Sequence, residues 1–342
     1  YGFVQSRPFF PLVYIPVSLT TEKEELRHLI SALNKYLAAG GHEKLAQLYA
    51  AGENDYRHYG LFKSFTPVEQ NYIERAALSG AAIPVVLESD NYPVSFFNNQ
   101  TEQFEGIVPD ILAAITQLTG LRFKTINQGG APWEELLASL ENGNAALISE
   151  LMYTDARKGN FLWPDEPFCV TYYAFISKTA FPDLEVYQVM SQKVGVTKGT
   201  AYEEMYNKWF PDNKPVVYNT ADESFAALER DEITLVLAAE ALLLSQTNYR
   251  EKPGYKVNIT LDHAIEAKFG FNKNEKTLCA IVGKAQNFIK TDMIAKRWFG
   301  KVFDYSAELS KTRVYLLLIC LAFLFVFLGF IIFYLFRNSI MR

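Results

Sequence analysis

Metal-site signals are missing from this sequence. Its four histidines, His28, His42, His58 and His263, are not spaced from one another or from any cysteine as zinc ligands are. Cysteine is scarce too. Cys169, Cys279 and Cys320 form no CxxC pair, which argues against a zinc ribbon or a thioredoxin-like redox centre. Cys320 lies in an apolar run, while Cys169 and Cys279 could be bridged or stand as isolated buried thiols. Basic charge is not in excess: 33 Lys and Arg face 38 Asp and Glu, a net charge of −5 that argues against a nucleic-acid partner. No nucleophile–base pair or paired-acid motif stands out, and nothing calls for a cofactor. The chain opens at Tyr1 without an initiator Met or a signal peptide, and it reads as one whose true start was removed by processing or truncation.

What the sequence does have is apolar mass. With 342 residues, 49% of them hydrophobic, it can build about two domains. Aromatics make up 15%, which suits rings lining a cleft and equally a ring-rich core. Residues 314–336 carry no charge over 23 positions. As a helix that run would be roughly 35 Å long, enough for a hydrocarbon core of about 30 Å. Tyr315 and Tyr334 sit at its ends as interface anchors do. Lys311 and Arg313 on one side balance Arg337 and Arg342 on the other, so positive charge does not orient the span.

The first 58 residues look like the end of something. A strand-like run at 12–19 leads to Thr21 and Glu24, spaced as a capping box, and then to an amphipathic stripe of Leu26, Leu29, Ile30, Leu33 and Leu37. Gly40-Gly41 is expected to stop that helix, with a short second helix over 43–51. The same order returns near the other end. Leu19, Leu26, Leu29, Ile30, Tyr36 and Leu37 align without gaps onto Phe271, Leu278, Ile281, Val282, Phe288 and Ile289, and Asp55-Tyr56 matches Asp304-Tyr305 after a small shift. Residues 1–58 therefore read as the C-terminal remnant of an earlier copy of one domain. Residues 59–81 form a connector in which Thr66-Pro67-Val68-Glu69 starts a helix.

From 82 onward, short apolar strands alternate with helices across short loops, a pattern that predicts a parallel sheet in each of two lobes. In the stretch 146–167, an apolar strand is followed by Thr154-Asp155-Ala156-Arg157, then by Phe161-Leu162-Trp163-Pro164. A guanidinium just past a buried parallel strand stands where open α/β sheets present groups to ligands, although a surface ion pair with Asp155 or Asp165 would look the same.

The T-x-x-R motif, the aromatic strand and Pro turn after it, the run Tyr172-Tyr173-Ala174-Phe175-Ile176-Ser177-Lys178, and Gly106-x-x-x-Asp110 together resemble the family 3 extracellular solute-binding proteins, the amino-acid-type Venus flytraps. The connector's FTPVEQNYI resembles the linker helix of tandem-flytrap sensor kinases of virulence type. The resemblance implies a two-lobed α/β periplasmic-binding-protein fold of type II plus one transmembrane helix. The flytrap would fill 82–305, with lobe 1 at about 82–178 and 262–305 and lobe 2 at about 179–261. A membrane helix at 314–336 and a cytoplasmic stub at 337–342 would follow.

The resemblance also implies site roles. Arg157 would hold a ligand carboxylate, with Gly199 and Thr200 beside it at a helix start where Thr200 and Glu203 form a capping box. Tyr92 would stack on the ligand, with Phe96 in reserve. The family's ammonium-binding Asp is replaced by Ala239, followed by Glu240, and Met152 stands where a small residue is usual. Glu150, Glu240 or Glu88 could replace that Asp; alternatively the ligand has no amine, or the cleft takes no small ligand. The expected function is the extracytoplasmic sensing region of a single-pass bacterial membrane receptor, homodimeric and non-enzymatic in these residues, binding an amino acid or organic acid. A membrane-anchored uptake protein and a flytrap-fold enzyme such as a dehydratase are the alternatives.

Overall fold

The computed structural model describes residues 20–250 and 252–301, with isolated helical positions between 318 and 329. The chain divides into two compact units, Tyr1–Gly60 and Leu61–Arg342.

In the first unit the expected capping box does not form. A tight turn at Glu24–Leu26 precedes α1 (Arg27–Tyr36), and Thr21 Oγ1 accepts from Lys23 N at 3.1 Å instead of capping a helix. The two glycines do not end the helix either. The chain makes one wide turn at Leu37–Gly41, where Gly40 takes φ +99°, and resumes as α2 (His42–Ser64). Glycine adopts that φ without a Cβ penalty, so it kinks the helix rather than stopping it. The apolar stripe of α1 is open, with Leu29 56% and Tyr36 49% exposed.

The second unit begins within the connector, not after it. Leu61 and Phe65 are buried in its core. In α3 (Pro67–Ser79) the predicted capping box is complete: Glu69 N donates to Thr66 Oγ1, and Thr66 N donates to the Glu69 carboxylate at 2.7 Å. Tyr72, Ile73 and Ala76 pack on the same core, and Glu69 pairs with Lys284 at 2.6 Å.

Lobe 1 contains β1 (Ile83–Val86), β2 (Asp90–Asn91), β3 (Ser95–Asn98), β4 (Gln103–Glu105), α4 (Ile107–Thr119), β5 (Phe123–Thr125), α5 (Trp133–Glu141), β6 (Leu147–Ile148) and β7 (Phe161–Leu162). The chain crosses into lobe 2 with β8 (Cys169–Lys178), then forms β9 (Val194–Thr197), α6 (Ala201–Trp209), β10 (Val216–Tyr218), α7 (Ala221–Glu229), β11 (Leu235–Ala239) and β12 (Tyr255–Ala267). It returns to lobe 1 as β13 (Gly270–Asn272), α8 (Lys276–Gln286) and α9 (Thr291–Phe299). After β11 the chain is helical through residues 240–249, tight over Glu240–Leu242 and wide over Ser245–Tyr249.

The sheets run β5-β1-β6-β13-β7 and β10-β9-β11-β8-β12. The expectation of purely parallel sheets is corrected, because β13 lies antiparallel to β6 and β7, and β8 antiparallel to β11 and β12. The reason is geometric. Parallel strands in both lobes end at the cleft, so a strand entering a lobe from the other must run away from the cleft. The expected lobe boundaries at 178 and 262 also shift. Both β8 and β12 pair in the lobe 2 sheet, so the crossings fall before Cys169 and after Ala267.

The core explains the family-like motifs. On α4, Ile107, Val108, Ile111 and Ile115 are fully buried, each worth about 1.5–3 kcal/mol. Gly106 has φ +132°, and a Cβ there would lie 2.6 Å from the Val94 carbonyl, so only glycine fits. Asp110 accepts hydrogen bonds from Arg297 Nη2 at 2.7 Å and Trp298 Nε1 at 2.6 Å, tying α4 to α9. Cys169 and Cys279 are free buried thiols, both pushed up to about 12 by burial.

The expected span 314–336 lies mostly outside the described residues, as do the strand-like run at 12–19 and the stub at 337–342; the described residues within the span are helical. Among the described residues no helix is long and apolar enough to cross a membrane.

Candidate functional site

A cavity of about 50 Å³ lies where the parallel strands of both lobes end. Strand ends supply loops whose side chains converge there, as in open α/β sheets generally. Lobe 1 contributes Glu88 and Asn91 from the chain after β1, Trp133 from the start of α5, and Glu150 and Arg157 from the chain after β6. Lobe 2 contributes Thr200 and Tyr202 from the start of α6, Thr220 and Ala221 from the start of α7, and Ala238 from β11.

Arg157 is 5% exposed and held from several sides. Its Nη1 donates to Met152 O at 3.1 Å and its Nη2 to Gly199 O at 3.0 Å. Nη2 also pairs with Glu204 Oε1 at 3.2 Å, and the guanidinium lies 5.7 Å from the centre of the Trp133 ring, within cation–π range. Burial pulls the Arg157 pKa down, and the Glu204 carboxylate opposes that shift. Trp133 Nε1 donates to the same Gly199 carbonyl at 2.9 Å. Gly199 has φ +67°, and the Trp133 and Glu134 side chains crowd the place of a Cβ. Two side chains of lobe 1 thus converge on one carbonyl of lobe 2. Two further cross-lobe contacts accompany them: Glu134 pairs with Lys198 at 3.0 Å, and Asp90 Oδ2 accepts from Ala221 N at 2.7 Å. The Asp90 carboxylate caps α7 from the other lobe. Its pKa is nevertheless raised, first by burial and then by Asp222.

A carboxyl pair lines the same cavity. Asn91 Nδ2 donates to Glu150 Oε2 at 2.7 Å and to Glu88 Oε2 at 3.0 Å, and Ser149 Oγ donates to Glu88 Oε2 at 3.3 Å. Burial pushes Glu150 up to about 7. Glu88 is pushed well above the carboxylate range by burial and then by Glu150. Two like charges bridged by one amide in a sheltered site disfavour full ionisation, so the pair holds a proton near neutral pH.

Of the residues expected at the site, Arg157, Gly199, Thr200, Glu150 and Glu88 come together. Thr200 does not form the expected box. Its Oγ1 donates to Thr197 O at 2.6 Å, and Glu203 accepts from Gly199 N at 2.7 Å rather than from Thr200. Tyr92 and Phe96 are not in this cavity. Tyr92 is 1% exposed, and its hydroxyl donates to Trp298 O and Lys301 O. Its ring lies parallel to that of Tyr249, centroids 6.0 Å apart, and Phe96 meets Tyr249 at 4.7 Å. Extended backbone alternates its faces, so Asn91 points to the cavity where Tyr92 turns into the core. Glu240 is not at the cavity either; it starts the turn after β11, and the lining includes Ala238 and Leu242 on either side of it but not Glu240 itself.

Asn91, Trp133 and Glu204 were not anticipated. Trp133 carried a usable signal, because an aromatic at a helix start after Pro132 opens onto the strand-end surface. Glu204 gave none, since its role depends on how the lobes meet.

Comparisons with known proteins agree with this fold. Residues 83–301 match the family described as bacterial extracellular solute-binding proteins, family 3. Sensor protein EvgS of Escherichia coli K12 is 25% identical over 213 residues, which is 60% of this chain and 17% of that protein. The chain therefore spans about a sixth of that relative's length. The periplasmic domain of BvgS from B. pertussis has the same fold, with a TM-score of 0.64 at 20% identity over 74% of this chain and 49% of that one. The arginine-, lysine- and histidine-binding protein ArtJ of Geobacillus stearothermophilus gives a TM-score of 0.57 at 21% identity, over 66% of this chain and 99% of its own.

Proposed function

The chain belongs to the family 3 bacterial extracellular solute-binding proteins, and from that premise we propose that it is the ligand-sensing, extracytoplasmic part of a bacterial membrane receptor. The observation that carries the proposal is the pair of lobe 1 donors, Arg157 and Trp133, seated on the Gly199 carbonyl of lobe 2. These contacts exist only while the lobes are together, so a solute in the cavity gains affinity by changing how long they last. A ligand shifts such an equilibrium only through its different affinity for the two states. In this reading the change reaches the apolar run at 314–336, which is long enough to span a bilayer. The likeness to sensor protein EvgS supports a sensing role over uptake.

The first unit is read as the end of an earlier flytrap copy. In α8, Leu278 and Ile281 are fully buried; their repeat partners, Leu26 in the turn before α1 and Leu29 in α1, are 39% and 56% exposed. A face that is core in one copy and open in the other fits a helix described without the lobe it belongs to.

Lobe separation tests the proposal. With Cys320→Ser as background, Glu141→Cys in lobe 1 and Tyr187→Cys in lobe 2 take spin labels, and the distance distribution is measured with amino acids, organic acids and amines. A solute that shifts the distribution and raises the melting temperature supports a sensing cleft. No change with any class overturns it.

A further inference from the structure

The cavity's charge is lopsided. Its one guanidinium already has a charge partner: Glu204 pairs with Arg157 Nη2 at 3.2 Å, and Met152 O and Gly199 O accept from Nη1 and Nη2. A carboxylate from outside would have to displace Glu204 and then sit near two more acids. The opposite wall is unmatched. Glu150 is 5% exposed and lines the cavity, and its Oε1 accepts no hydrogen bond from any described residue. Neither Glu88 nor Glu150 forms an ion pair among the described residues; their side chains accept from Asn91 and Ser149. That oxygen is open to the cavity rather than sealed in the core, so a group bearing N–H donors and positive charge can reach it and is favoured there. The space is small: about 50 Å³ admits only a few water-sized groups. Trp133 and Tyr202 supply aromatic walls on which a cation can also rest.

We infer that the cleft takes a small organic cation without a carboxylate, an amine or a guanidine, held by Glu150 and Glu88, while Glu204 occupies the place at Arg157 that a ligand carboxylate would fill. The inference rests on the sensing-cleft reading above and narrows its ligand class.

Four small probes separate the possibilities in the full chain: ethylamine, ethylguanidine, alanine and propionate, each followed by thermal shift and calorimetric titration. Ethylamine or ethylguanidine binds, and the stronger of the two shows whether the site prefers an ammonium or a planar fork. Alanine and propionate leave the wild type unshifted. Glu150→Gln keeps shape and loses charge, and it weakens the cation by about tenfold or more, a difference read directly from Kd. Glu204→Ala vacates the place beside Arg157 and lets propionate bind there; propionate binding no better than to the wild type overturns the view that Glu204 fills that place. Binding of alanine or propionate to the wild type without the amines overturns the cation assignment and leaves the sensing cleft standing. Equal cation affinity in wild type and Glu150→Gln also overturns it. If none of the four binds, the assignment fails, while the lobe-distance measurement with its wider panel decides the sensing cleft separately.

Discussion

At one end of the cleft Arg157 is held by Met152 O, Gly199 O, Glu204 and the Trp133 ring; at the other, Glu88 and Glu150 share a single Asn91 amide. Both ends are built from buried charge at strand termini, yet they differ in what they ask of the rest of the protein. The arginine end draws its partners from the opposite lobe, so it is a closure device. The carboxyl end draws its partners from its own lobe and keeps capacity to spare, so it is open to a proton or a ligand. A buried ion with full partners favours one geometry, whereas a buried ion without them makes the state depend on solution conditions.

The strongest way to break this contrast is Arg157→Ala. It leaves the Gly199 and Met152 carbonyls and Glu204 without their donor, and should cost about 2–4 kcal/mol in urea denaturation, less than a fully buried pair because Glu204 is partly solvated. Spin-label distances should show the lobes apart. The carboxyl end predicts a pH dependence of opposite origin. Its folded-state pKa values are raised, so the folded chain binds more protons than the unfolded chain between the ordinary carboxylate value of 4.5 and about 7. The resulting stability is fully present below pH 4.5 and is lost as pH rises through about 7. Stability should therefore rise as pH falls from neutral toward 5, by on the order of 3 kcal/mol at most, the melting temperature should climb with it, and Glu150→Gln should flatten that slope. A pH-independent melting curve over this window would count against the carboxyl pair.

Smaller changes sharpen the division. Trp133→Phe keeps a ring for Arg157 and removes the Nε1 hydrogen bond to Gly199 O, which should cost about 1 kcal/mol and shorten the closed state without moving the pH slope. Lys198→Ala removes a cross-lobe pair whose side chains are about half exposed, and should change stability by less than about 0.5 kcal/mol. A larger loss there would mean that the surface pair, not Arg157, governs closure.

Much of this was legible before any coordinates. Arg157, Gly199 and Thr200 sit at strand and helix ends that local pattern marks out, and Glu150 follows a short apolar run that could only be a buried strand. Tyr92 shows how such reading fails: a shift of one residue along an extended segment moves a ring from cavity to core. Glu240 fails because the cavity is lined by Ala238 and Leu242 while Glu240 between them is not part of the lining, a matter of how the turn after β11 is oriented. The glycines at 40 and 41 look like a stop, yet with Gly40 at positive φ they act as a kink.

By itself the sequence determined the alternation of strands and helices, the positions of Gly106 and Asp110, and the family, because these depend on local periodicity and on contacts that only certain residues allow. Tertiary structure alone decided which strands run antiparallel, since that follows from the direction in which the chain enters each lobe. It alone paired Arg157 with Glu204 and set Glu88 beside Glu150, because those distances arise from the meeting of segments 47 to 62 positions apart, over a range where sequence spacing carries no geometry.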